Sequence, residues 1–202
     1  MPSEPKIYYE RHLPHWHPSG KILFITWRLA GSLPSHFWRE CPEKSHGRRF
    51  LALDHFLDTG RIGPTWLRNP KIANAVADAL TFGETHLHLY RVLAFVVMSN
   101  HMHLLIEPDK PLARITKVLK GFTARRANQF LRRTGKPFWQ DESFDHWVRN
   151  FSQLERITRY IENNPVAAGL VQRPEDWPWS SAAQRKYDLS EKGRTDIPVC
   201  PP

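Results

Sequence analysis

The fold turns on one stretch: Leu87-His88-Leu89-Tyr90-Arg91-Val92-Leu93-Ala94-Phe95-Val96-Val97-Met98-Ser99-Asn100-His101-Met102-His103-Leu104-Leu105-Ile106-Glu107. Residues 87–98 are almost continuously apolar and rich in β-branched side chains, the composition of a buried strand. Ser99-Asn100 is a tight-turn signal, and 101–107 reads as a second strand closed by Pro108, so a hairpin results. Upstream, 70–85 is alanine-rich with Ile72, Val76 and Leu80 at helical spacing; Pro70 suits the first turn and Gly83 the end. Further upstream, 21–30 (KILFITWRLA) has the composition of a strand ending near Gly31. Downstream, 111–133 is the longest predicted helix, with Leu112, Ile115, Leu119 and Phe122 on its inward face. A strand is expected within 138–148 and a last helix over 152–164. Ser152 and Glu155 form a capping box there, and Pro165 marks the stop. Strand, helix, strand, strand, helix, strand, helix is a ferredoxin-like (RRM-like) α+β pattern with an extra C-terminal helix. An antiparallel sheet with helices on one face leaves the other face, or its border, for a ligand.

Around this frame, residues 1–20 read as an irregular arm and 21–181 as one domain. An insertion occupies about 33–70 and carries a short helix near 50–59. Past Gln172 the chain turns rich in proline and polar residues, with an anchoring cluster at Trp177-Pro178-Trp179, and 182–202 reads as a flexible tail. With 202 residues the chain can bury a core without staples. It has no apolar run of the roughly 18 residues a membrane span needs and no apolar leader, so a cytoplasmic, membrane-free protein is expected. Two distant cysteines, Cys41 and Cys200, exclude a disulfide scaffold and a cysteine-rich zinc site. The net charge of +9 points to a polyanion partner, nucleic acid first.

Three groups of residues carry candidate chemistry. His101 and His103, two apart on a strand, share a face about 7 Å apart and can offer one nitrogen each to one divalent cation, with Met102 turned into apolar packing. Spacing alone leaves open two polar histidines on an exposed strand face, and His86-Leu87-His88 repeats the spacing. On the last helix, Tyr160 and Asn164 stack on one face, with Gln153 two turns earlier, beside the apolar stripe Leu154, Ile157 and Ile161. Singly, these are equally a tyrosine at a helix border and an asparagine at a helix stop. The helix 111–133 carries Arg114, Lys117, Lys120, Arg125, Arg126, Arg132 and Arg133 and no acidic residue. A one-sided helix repels itself and makes sense opposite phosphates.

The string Val97-Met98-Ser99-Asn100-His101-Met102-His103-Leu104-Leu105 resembles the His-hydrophobe-His motif of single-tyrosine transposases. Residues 160–171 (YIENNPVAAGLV), followed by Trp177-Pro178-Trp179-Ser180-Ser181, resemble the tyrosine-helix segment of the REP-associated tyrosine transposases, IS200-like enzymes. The likeness runs over about 21–181. Ser99 stands where the family often has proline, and the insertion is longer than the family pattern. The resemblance implies that His101, His103 and Asn164 hold a Mg²⁺ or Mn²⁺ ion and that Tyr160 is the nucleophile. It implies that hairpin-forming, REP-like single-stranded DNA is cut to a 5′-phosphotyrosine and a free 3′-hydroxyl and then rejoined. It further implies a bacterial, nucleoid-associated setting and a monomer or homodimer. Arg114, Lys117, Lys120, Arg125 and Arg126 are the expected DNA-binding residues. A phenol ionises near pH 10, more readily than an aliphatic alcohol, which suits it to leave again when the strand is rejoined. Two other readings stand beside this one: a non-catalytic nucleic-acid-binding module on the same frame, and a metal-dependent hydrolase in which water attacks.

Overall fold

The computed structural model describes residues 8–10, 14–16, 20–43, 45–60 and 62–185. Strands β3 (Leu23–Arg28), β4 (Tyr90–Val97), β5 (His101–Pro108) and β6 (Phe144–Trp147) form an antiparallel sheet in the order β4-β5-β3-β6. Within the expected arm, β1 (Tyr8–Glu10) and β2 (Pro14–Trp16) pair as a separate antiparallel ribbon. Helices α1 (Phe37–Glu40) and α2 (His46–Asp58) lie in the insertion, α3 (Pro70–Thr85) precedes β4, α4 (Leu112–Phe130) follows β5, and α5 (Phe151–Ala167) follows β6. The βαββαβ order with the first and third strands central is the ferredoxin-like α+β fold that the sequence pattern predicts. The predicted tail falls mostly outside the described residues.

Strand alternation divides the core in two. Leu23, Ile25, Trp27, Met102, Leu104 and Ile106 face α3 and α4, where Ile72, Val76, Leu80, Ile115 and Leu119 complete the larger cluster. Phe24, Leu105, Ala94 and Val96 face the other way, against Phe50 of α2 and Ile161 of α5. The second face is therefore not left open as the strand-and-helix pattern implied: α2 and α5 cover it, and the polar residues of β5 lie beneath them. Burying each large apolar side chain contributes on the order of 1.5–3 kcal/mol, so the larger cluster holds its helices more firmly than the smaller one.

Several boundaries differ from the sequence expectation, each for a local reason. The last helix is capped by Asn150, whose side chain accepts from Gln153 N at 2.8 Å, so Ser152 is not its cap. Pro165 does not stop it either: the helix runs on to Ala167, where Gly169 at φ 69° turns the chain. Proline removes one N–H but keeps a helical φ, which a nearby helix end tolerates. Strand β4 begins only at Tyr90, because His88 at φ 47° breaks the extended run. The strand expected over 138–148 shortens to β6, with Trp139 making one isolated bridge to Leu29.

Past α5, residues 177–181 strap the outer edge of β4. Val97 N donates to Trp179 O at 2.8 Å, Trp177 Nε1 donates to Val97 O at 2.9 Å, and Ser180 bridges Val96. Trp177 packs into the second cluster and Trp179 against the first. The unpaired edge is thereby covered.

Candidate metal and tyrosine site

Antiparallel register sets Thr26 opposite His103 and Arg28 opposite His101. Both imidazoles are buried on the α2/α5 face. Their Nδ1 atoms point back into the protein. His101 Nδ1 meets Asn100 Oδ1 at 2.8 Å, and His103 Nδ1 meets Thr26 Oγ1 at 2.8 Å. Asn100 Nδ2 donates to Leu57 O at 2.9 Å, which fixes Oδ1 as the atom facing His101. His101 Nδ1 must then carry the proton, leaving Nε2 a free lone pair.

Helix α2 brings a carboxylate to both Nε2 atoms. Phe50, Leu53, Asp54 and Leu57 occupy its buried stripe. Asp54 Oδ1 lies 3.0 Å from His103 Nε2 and 3.5 Å from His101 Nε2. Helix α5 closes the group. The Tyr160 hydroxyl donates a short hydrogen bond to Asp54 Oδ2, and Asn164 Nδ2 lies 3.3 Å from that oxygen and 3.5 Å from His103 Nε2. The Tyr160 ring centroid is 5.6 Å from that of His103. One chain thus juxtaposes His101, His103, Tyr160 and Asn164 around Asp54. A half-turn of the Asn164 amide would present its oxygen where Nδ2 now sits.

The electrostatics are those of a cation site. Burial drives His101 down to about 3 against the pull of Asp54, so this imidazole is neutral. Burial raises Asp54, but His103 and His101, with the Asn164 amide, outweigh it and hold the carboxyl below its usual range. Asp58, one turn on, is pushed up to about 7 by burial and by the charge of Asp54. Buried Asp54 Oδ1, Asp58 Oδ1, His101 Nε2 and Asn164 Oδ1 have no hydrogen-bond partner. The Asp54 and Asp58 oxygens among them lie 3.5 and 3.8 Å from His101 Nε2, and orphaned acceptors so close together are what a cation satisfies. The ligand atoms of Asp54, His101 and His103 lie within 4.8 Å of one another. Two imidazole nitrogens and a carboxylate oxygen fit a divalent cation.

The sequence pattern missed Asp54 and Asp58. The available signal was an aspartate at a core position of an amphipathic helix: 50, 53, 54 and 57 follow the apolar spacing, and an acid there needs a buried partner. Gln153, expected along the tyrosine stripe, instead caps α5: its Oε1 accepts from Arg149 N at 2.8 Å while its Nε2 meets His146. His86 and His88 are exposed, away from this group. On α4, Arg114, Lys117, Arg125 and Arg126 are exposed. Lys120 Nζ donates to Gln140 O at 2.8 Å and Asp141 O at 3.2 Å, and burial lowers its pKa to about 8, opposed by Asp141.

Comparison with known proteins agrees with this frame. The family described as "Transposase IS200 like" matches residues 79–164, from the end of α3 through Asn164. A Haemophilus influenzae protein that carries the name of a REP-associated tyrosine transposase is 29% identical over 103 residues, 46% of this chain. The chain spans 58% of that relative's length. A solved structure of a REP-associated tyrosine transposase bound to a REP hairpin superposes with a TM-score of 0.51 at 19% identity, covering 87% of this chain and 82% of its own. The family match spans less than half of the chain, and it makes residues 79–164 similar to the IS200-like transposases. Within that class, the REP-associated tyrosine transposases are the type this chain resembles in sequence and in fold. No described helix is long and apolar enough to cross a membrane.

Proposed function

We propose that this chain is a metal-dependent, single-strand DNA endonuclease and strand transferase acting on hairpin-forming, REP-like DNA in the bacterial cytoplasm. The observation that supports it most is that the Tyr160 hydroxyl and the Nε2 atoms of His101 and His103 meet on the same carboxylate, Asp54. His101, His103 and Asp54, with Asn164 after its amide turns, would hold a Mg²⁺ or Mn²⁺ ion. When bound, that ion supplies Lewis-acid polarisation and charge neutralisation for the scissile phosphate.

Tyr160 Oη forms the new bond to phosphorus, and the bond from phosphorus to the 3′-oxygen breaks. The phenol loses a proton and the departing 3′-oxygen gains one. The product is a 5′-phosphotyrosine and a free 3′-hydroxyl, and the reverse attack by a 3′-hydroxyl rejoins the strand without another energy source. Asp54, hydrogen-bonded to the phenol, orients the nucleophile. Exposed Arg114, Lys117, Arg125 and Arg126 on α4 would track the phosphates; Lys120, engaged with the 140–141 backbone, would act by shaping that surface.

The test incubates labelled hairpin DNA with the protein and Mn²⁺ and follows cleavage and protein-linked DNA on denaturing gels. Wild type should give both and Tyr160→Phe neither. Equal cleavage by the Phe variant would remove Tyr160 from this role, and cleavage with no adduct in wild type would favour attack by water.

A further inference from the structure

Asp58 lies outside the residues that the sequence motifs and the three-ligand group account for, yet it belongs to the same helix face as Asp54. Positions 54 and 58 are one turn apart on α2, so both carboxylates project toward the sheet. Asp58 Oδ1 is 3.8 Å from His101 Nε2. The oxygen is buried and without a hydrogen bond, although its side chain as a whole keeps 19% exposure. A neighbouring cavity of about 90 Å³ is lined by Asp58, Asn100, His101, Thr65 and Arg68.

Donor atoms around one ion at bonds of about 2.1 Å are separated by roughly 3.0 Å when adjacent and 4.2 Å when opposite. The 3.0 and 3.5 Å contacts of Asp54 with His103 and His101 and the 3.8 Å contact of Asp58 with His101 fall in that range, while Asp58 stands outside the three-residue group within 4.8 Å, so its side chain would swing inward to join the ion. The orphaned, nearly inaccessible Nε2 of His101 is within 3.8 Å of both carboxylates.

We propose that Asp58 is a further ligand of the same cation, so that the insertion contributes two carboxylates to a site whose recognised motifs supply only imidazoles and an amide. This rests on the cation site of the proposed function and deepens it. Two carboxylates offer a small divalent cation more oxygen donors than the motif residues alone. The cation in turn ties α2 to β5.

The test is Mn²⁺ binding to the full chain by calorimetry, with the electron paramagnetic resonance signal of free Mn²⁺ as a second measure. Wild type is compared with Asp58→Asn and with Leu51→Ala, an exposed change on the same helix. Asp58→Asn should weaken Mn²⁺ binding tenfold or more, and Leu51→Ala should leave it unchanged. Asp58→Asn should still form the Tyr160 adduct when Mn²⁺ is raised to saturate it. Its urea midpoint in chelator should not fall below that of wild type, which excludes simple misfolding. Wild-type affinity in Asp58→Asn would overturn this assignment, while adduct formation by wild type would leave the reading of Tyr160 standing. Absence of Mn²⁺ binding by wild type would instead overturn both.

Discussion

The most informative perturbation is at Asn100, which touches no reacting atom. Its Nδ2 donates to Leu57 O and its Oδ1 receives the Nδ1 proton of His101. Its backbone carbonyl separately accepts from Leu29 N at 2.8 Å, so the turn itself survives substitution. In Asn100→Ala the buried Nδ1–H of His101 loses its partner, which costs about 1–3 kcal/mol. Leu57 O keeps Gly60 N at 3.0 Å, so its loss is smaller, about 1 kcal/mol. The fold should therefore lose roughly 2–4 kcal/mol in urea unfolding. The imidazole also loses the contact that fixes its tautomer, and cation affinity should fall about 10- to 100-fold. Asn100→Asp separates the two effects. Its carboxylate still accepts from His101 Nδ1 but cannot donate to Leu57 O. Stability should fall as in the alanine variant or further, while Mn²⁺ affinity stays within a few-fold of wild type. If calorimetry shows alanine and aspartate variants losing affinity equally, or neither losing any, the tautomer argument is wrong.

Three other outcomes follow from the geometry. Gly83 packs beneath Tyr90: an added Cβ would overlap the Tyr90 hydroxyl, 3.0 Å from Cζ and 3.4 Å from Leu119 Cδ2, so Gly83→Ala should destabilise by about 1–3 kcal/mol despite alanine's helix preference, with Tyr90→Phe partly restoring it in a denaturation cycle. His101 is moved from 6.5 to about 3 in the fold, so between those pH values the unfolded chain binds a proton that the folded chain refuses; metal-free stability should fall as pH drops through this window, by up to about 5 kcal/mol, and the difference between wild type and His101→Gln should follow that slope. Mn²⁺ at a hundred times its dissociation constant should add about 2.7 kcal/mol, a rise in Tm of roughly 5–10 °C for a chain of this size, and calorimetric melts of His103→Ala should lack it.

The parts of the fold legible in the sequence were those whose pattern is local. Ile72, Val76 and Leu80 announce α3, and the run from Tyr90 to Val97 announces a buried strand, because periodicity and β-branching act on neighbouring residues. The pairing of β3 between β5 and β6 follows from the order of elements. Half of the candidate site was legible for the same reason: alternation places His101 and His103 on one face, and helical spacing stacks Tyr160 with Asn164. Asp54 was hidden because its partners are 47 and 49 positions away in the chain (His101 and His103), and no local period records that contact. Pro165 misled because the rule that proline ends a helix concerns a lost N–H, and the sequence does not show that Gly169 ends the helix only one turn later.

A phenol poised on a buried carboxylate needs a helix that does not drift, and the second cluster alone is a thin support for α5. It is smaller than the first, and the polar group at its centre subtracts apolar contact. The strap at 177–181 makes up the difference. Ser181 Oγ donates to Glu162 Oε1 at 2.6 Å and lies 3.2 Å from Phe95 N, so one hydroxyl joins α5 to β4. Arg185 pairs with the same Glu162. Trp179 Nε1 donates to Asn74 Oδ1 of α3 at 2.6 Å, while Trp177 packs beneath α5. The segment therefore clamps both layers of helices across one sheet edge, and Glu162 lies only two residues from Tyr160. The residues downstream of the tyrosine helix are, on this argument, part of what positions the tyrosine. Residues 177–181 thus have a mechanical role: they hold the helix that carries Tyr160 against the strands that carry the histidines.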